Sequence, residues 1–102
     1  MKAYRPARPF IEKQLNDPEI RVLYEQERAK TVIAEAVRQA RIHAGLTQME
    51  LAELADTTQA VISRIESGSD ARTPSLPLLA RIAGACKAQL TVGFAFRTNK
   101  VA

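Results

Sequence analysis

The 102-residue chain has one cysteine, one histidine and four glycines, and no apolar run of membrane-spanning length. With Cys86 alone, no internal disulfide can form, and a reducing, cytoplasmic setting is expected. The longest stretch without a charge, Ala88 to Phe96, is too short to cross a bilayer. The N-terminal residues Met1 to Pro6 lack the apolar core of a signal peptide. His43 stands by itself, with no cysteine or acid cluster at ligand spacing, so no metal site is expected. Glu25 and Glu27 are two apart and do not share a helix face. No general acid/base pair, phosphate-cradling glycine loop or cofactor motif is legible, and an enzyme is not expected.

What is present is an ordinary globular composition, 46% hydrophobic and 25% charged, enough for one small domain. The 15 basic and 11 acidic residues give a net charge of +4. Residues 1–30 and 31–102 each carry +2, so charge singles out no half of the chain as a polyanion binder. Any function has to be read from local pattern.

The first ten residues, with Pro6 and Pro9 among Arg5 and Arg8, read as an extended arm, and Ile11 to Leu15 is long enough for a short helix. Asp17-Pro18-Glu19 is a strong helix start: a capping side chain, proline in the first turn, and an acid near the positive end of the helix dipole. Ile20, Leu23 and Tyr24 come next at helical spacing. Beyond Tyr24 two readings are open: one helix running to the Gly45 stop, or a restart near residues 29–31 leading into the stripe Val32/Ile33, Ala36/Val37, Ala40.

Thr47-Gln48-Met49-Glu50 has capping-box spacing, and predicts a short helix that buries Leu51, Ala52, Leu54 and Ala55. Asp56-Thr57-Thr58 reads as a turn and a new cap. The helix after it, Gln59 to Glu66, buries Val61, Ile62 and Ile65 and stops at Ser67-Gly68. Ser75 caps a last helix with Leu76, Leu79, Ile82 and Ala83 as core. In Leu90, Val92, Phe94 and Phe96 the period becomes two, as in a half-buried strand. A lone strand leaves its backbone unpaired. The expected partner is the same strand of a second copy, an isologous dimer; the other reading is an extended tail lying on the helices.

Two short capped helices joined by a tight turn, from Leu46 to Gly68, form the informative unit. The outer face of the second helix offers Gln59, Ala60, Ser63, Arg64 and Ser67. Gln and Arg make two-pronged contacts to adenine and guanine edges, and a face without acid does not repel phosphate.

This unit resembles the helix-turn-helix of the Xre/Cro family, which includes the lambdoid phage repressors. The likeness is carried by Leu46-Thr47-Gln48, Glu50-Leu51-Ala52, Thr58-Gln59 and Ile62-Ser63-Arg64-Ile65-Glu66-x-Gly68. It implies a mainly α, five-helix, lambda-repressor-like domain. By the same resemblance Gln59, Ala60, Ser63 and Arg64 are base-reading residues, and Thr47, Gln48, Thr58, Ser67 and Arg72 are DNA-backbone residues. It further implies a structural ion pair between Arg41 and Glu66. The family often has glycine in the inter-helix turn where this chain has Asp56, a residue type that tolerates left-handed backbone.

The segment Asp17-Pro18-Glu19-x-Arg21-x-x-Tyr24, ahead of such a domain and with an apolar strand behind it, is similar to the leader of HigA-type antitoxins. That likeness implies an autorepressor that also neutralises a HigB/RelE-type mRNA-cleaving toxin, with Ile20, Leu23 and Tyr24 as the toxin-binding side. The expected division is an arm and leader helix over 1–30, the DNA-binding domain over 31–87, and a dimerising strand and tail over 88–102. A stand-alone Xre-type regulator and a pure protein-interaction module remain as alternatives, because a fold does not by itself fix a function.

Overall fold

The computed structural model describes residues 16–96. It contains four helices: α1 Pro18–His43, α2 Gln48–Leu54, α3 Gln59–Ser67 and α4 Leu76–Ala85. Each starts at a side chain that takes an otherwise orphaned amide. Asp17 accepts from Glu19 N at 2.9 Å, Thr47 from Glu50 N at 3.0 Å, Thr58 from Val61 N at 3.2 Å and Ser75 from Leu78 N at 3.2 Å. The Thr47 cap is reciprocal, since Glu50 Oε1 accepts from Thr47 N at 2.9 Å. At the C-terminal ends, Gly45 (φ 74°) and Gly68 (φ 71°) take the left-handed conformation that turns the chain out of α1 and α3.

The first helix is continuous through residues 29–31 and is 26 residues long, about 39 Å at the α-helical rise. Its buried residues, Ala34 and Val37, lie in its second half, whereas Val22, Leu23 and Tyr24 near its start are exposed. The exposed turns are braced along the helix by Glu25–Arg28, Glu27–Lys30 and Glu35–Arg38 pairs at three-residue spacing.

Val37, Leu51, Ala52, Ala55, Ile62, Ile65, Ile82 and Cys86 form one apolar core, with α3 packed on α1 and α2, and α4 packed on α2. Small Ala52 and Ala55 let α2 come close to its neighbours. Arg81 Nε, from α4, donates to Ala55 O at 2.8 Å and ties the last helix to the end of α2.

Several expectations need correction. Four helices are present among the described residues, not five, and the short helix read over Ile11 to Leu15 lies outside them. Leu54 is 62% exposed and Leu76 64% exposed, so neither belongs to the core. At about 100° per residue, Leu54 lies roughly 100° around α2 from the centre of the Leu51–Ala52–Ala55 stripe. Leu76 lies about 120° around α4 from Ile82.

The C-terminal strand is absent among the described residues as well. Residues 88–96 form neither helix nor sheet pairing, and Val92, Phe94 and Phe96 are 80%, 89% and 92% exposed. Alternation chooses a face for these residues, but only a second strand can complete the ladder, and the single chain supplies none among its described residues.

Candidate nucleic-acid interface

The turn between α2 and α3 is made by Asp56 at φ 58°, with Thr57 N donating to Ala52 O at 2.9 Å. Aspartate can occupy this backbone region because its short side chain tolerates it, though less comfortably than glycine. The turn directs α3 so that Ile62 and Ile65 are buried, Val61 is half-buried, and Gln59, Ala60, Ser63, Arg64 and Ser67 face outward together. This exposed face carries no carboxylate, because the acid of α3, Glu66, turns inward.

Glu66 is the hub behind that face. Arg41 donates to it with two nitrogens, Nε to Oε2 at 2.7 Å and Nη2 to Oε1 at 2.9 Å. The third donor, Arg41 Nη1, reaches Leu46 O at 3.0 Å, and Gln48 Nε2 adds a bond to Glu66 Oε1 at 3.1 Å. The side chains of Arg41 and Glu66 are only 16% and 4% exposed. Burial pushes the Glu66 carboxyl up, but the hydrogen bonds from Arg41 and Gln48 outweigh it and hold the group below the usual carboxylate range. The Arg41 guanidinium is raised by its hydrogen bonds to Glu66 and stays charged.

The other positions expected from the sequence differ in what they do. Thr47 and Thr58 accept amide hydrogens as helix caps, which leaves each hydroxyl hydrogen free to donate outward. Ser67 differs: its hydroxyl donates to Arg64 O at 3.1 Å and is bonded to Ser69 Oγ at 2.7 Å, so it fastens the end of α3. Arg72 is exposed in the following loop, where its amide donates to Asp70 Oδ1 at 3.1 Å. Ile20, Leu23 and Tyr24 sit in the first two turns of α1, away from this assembly in sequence; Leu23 and Tyr24 are exposed and Ile20 is half-buried.

Two residues that carry no sequence signal enter the site. Asp70 Oδ2 lies 4.0 Å from Arg64 Nε, close enough to bias the guanidinium on the outer face of α3. Lys30, from α1, lines the same small depression as Arg64, Asp70 and Arg72. Four residues from one helix, one loop and a distant helix converge there, and only the packing of α1 against α3 brings them together. Among the described residues no helix is long and apolar enough to cross a membrane.

A family model described as helix-turn-helix matches residues 37–92, just over half of the chain. No curated protein and no solved structure matches. The matched span runs from the buried half of α1 through both helices of the motif and α4. The chain therefore belongs to the Xre-like helix-turn-helix family of DNA-binding transcription regulators.

Proposed function

We propose that the protein is a dimeric operator-binding repressor and the antitoxin of a toxin-antitoxin pair. The observation that carries the DNA reading is the acid-free outer face of α3, held rigidly from behind by the Arg41–Glu66 pair. Gln59 and Arg64 would make the two-pronged base contacts, Ser63 a single hydrogen bond, and Ala60 an apolar contact to a thymine methyl. Gln48, Thr47, Thr58 and Arg72 would hold phosphates and set the register. Ser67, with its only hydrogen already committed to Arg64 O, contributes least. A dimer would read two half-sites about 34 Å apart, so a near-palindromic operator is expected.

The leader supports the antitoxin part. The first turns of α1 carry Leu23 and Tyr24 exposed beside the half-buried Ile20 on one side of the helix, an apolar strip available to a partner. Taken with the likeness to HigA-type leaders, the partner is a HigB/RelE-type ribonuclease, with residues 1–30 as the neutralising part and 88–102 as the dimerising part. A growth assay tests this. The product of the adjacent gene is expressed alone and then with this protein: arrest alone and rescue together support the antitoxin. No toxicity, or toxicity without rescue, leaves the stand-alone regulator. DNA binding is tested separately by salt titration, where affinity for an operator should fall by roughly three decades between 50 and 200 mM salt if about six phosphates are neutralised.

A further inference from the structure

Between α1 and α4 lies an open groove of about 480 Å³, apart from the DNA-reading face. Val32, Ile33 and Ala36 form one wall, Leu79 and Ala83 the other, and the segment 88–93 runs along its rim. Val32 and Ala36 are exposed there although they belong to the apolar stripe of α1. Just beyond the rim, Phe94 and Phe96 are nine-tenths exposed and so stand outside their own chain's groove.

We propose that the groove is the seat for Phe94 and Phe96 of a second copy, each chain giving its rings and receiving its partner's. This rests on the dimer reading above and deepens it: tail pairing alone would need no groove. The dimensions agree. A cavity of about 150 Å³ holds a benzene ring, so 480 Å³ accommodates two. Four phenylalanine side chains bring about 150–250 Å² each. With the groove walls they cover, the exchange reaches the roughly 1,200 Å² at which stable interfaces begin. The contact is isologous, the same patch on both copies, and closes on itself. Ala36 and Ala83 are what leave the room: larger side chains at these two positions would fill the space between the helices.

The test uses the full chain in sedimentation equilibrium. Ala36→Phe fills the groove from an exposed helix position, and Phe94→Ala/Phe96→Ala removes the rings; circular dichroism checks that both remain folded. The wild type should be dimeric, and each variant should dissociate at concentrations about 100-fold higher or more. An equimolar mixture of the two variants should re-form a mixed dimer, because the intact tail of one still meets the intact groove of the other. A dimer undiminished by Ala36→Phe overturns the groove as the seat while leaving tail pairing in place. Monomeric variants that yield no mixed dimer also overturn it. A monomeric wild type overturns both this proposal and the dimer. Binding of Ala36→Phe to a single half-site reports on the DNA reading independently of any of these results.

Discussion

Arg41 and Glu66 join the first helix to the recognition helix through two parallel hydrogen bonds, 2.7 and 2.9 Å long, in a nearly closed environment. The same carboxylate receives Gln48 from α2, and the same guanidinium holds the carbonyl of Leu46. One pair of side chains therefore sets the relation of three helices and the loop between two of them. Glu66→Ala would leave a mostly buried guanidinium without its counter-charge and should cost about 3 kcal/mol, measured as a lower urea midpoint.

The pair also predicts a pH dependence. The Glu66 carboxyl in the fold lies below its ordinary value of 4.5, so the folded state binds protons less readily than the unfolded state. Stability from this source is fully present above that ordinary value and is lost as pH falls through the lower, folded-state value. Urea midpoints of wild type and Glu66→Gln should therefore differ most near neutrality and converge as the pH falls below the ordinary carboxylate value. A constant difference at all pH values would show that the carboxylate charge is not what stabilises the contact.

On DNA, Gln59→Ala should cost roughly 1–3 kcal/mol on the cognate operator and little on random sequence. Equal losses on both would remove Gln59 from the base readers. Arg72→Ala should weaken both nearly equally and lower the slope of log affinity against log salt by about one. These two signatures separate reading from positioning, and fluorescence anisotropy at four salt concentrations distinguishes them.

Asp56 holds the inter-helix turn at φ 58°. Glycine has no Cβ to crowd this region, so Asp56→Gly should raise stability by about 0.5–1 kcal/mol. It also removes a negative charge beside the proposed phosphate contacts. Non-specific DNA affinity should rise along with the melting temperature. A lower melting temperature would mean that the aspartate side chain contributes more to the turn than its backbone strain costs.

Cys86 is in the core, and burial pushes its thiol pKa up. The thiolate that reacts with disulfide reagents is therefore scarce in the native state. Labelling with a chromogenic disulfide should be slow at pH 8 without denaturant and immediate in urea. Rapid native labelling would place Cys86 at the surface.

The parts legible in the sequence are those in which a residue acts on a near neighbour. Asp17, Thr47, Thr58 and Ser75 each cap an amide two or three positions ahead, so their spacing alone announces a helix start. Gly45 and Gly68 mark stops because left-handed backbone favours glycine. The outer face of α3 can be read from the Val61, Ile62 and Ile65 stripe opposite it. Leu54 and Leu76 mislead because periodicity tells which residues are apolar, not how a short helix is rotated about its axis. The tail pattern at Leu90, Val92, Phe94 and Phe96 states a face without stating what covers it.

What the sequence by itself determined, then, is the four capped helix starts, the glycine stops behind α1 and α3, and the residue types on the outer face of α3; the continuity of α1 through residues 29–31 it leaves open. These depend on backbone capping and on a period of about 3.6 residues, both local. The family resemblance implies the Arg41–Glu66 pair, but only the tertiary structure decided that Gln48 joins it, that Asp70 and Lys30 come beside Arg64 or its loop, and that Arg81 closes on the carbonyl of Ala55. It also decided that α1 and α4 leave a groove between them. Each of these depends on the angle and depth at which helices cross. That geometry is set by side-chain volumes on both partners at once, with Ala52, Ala55, Ile62 and Val37 in one core, and no single stretch of chain contains it.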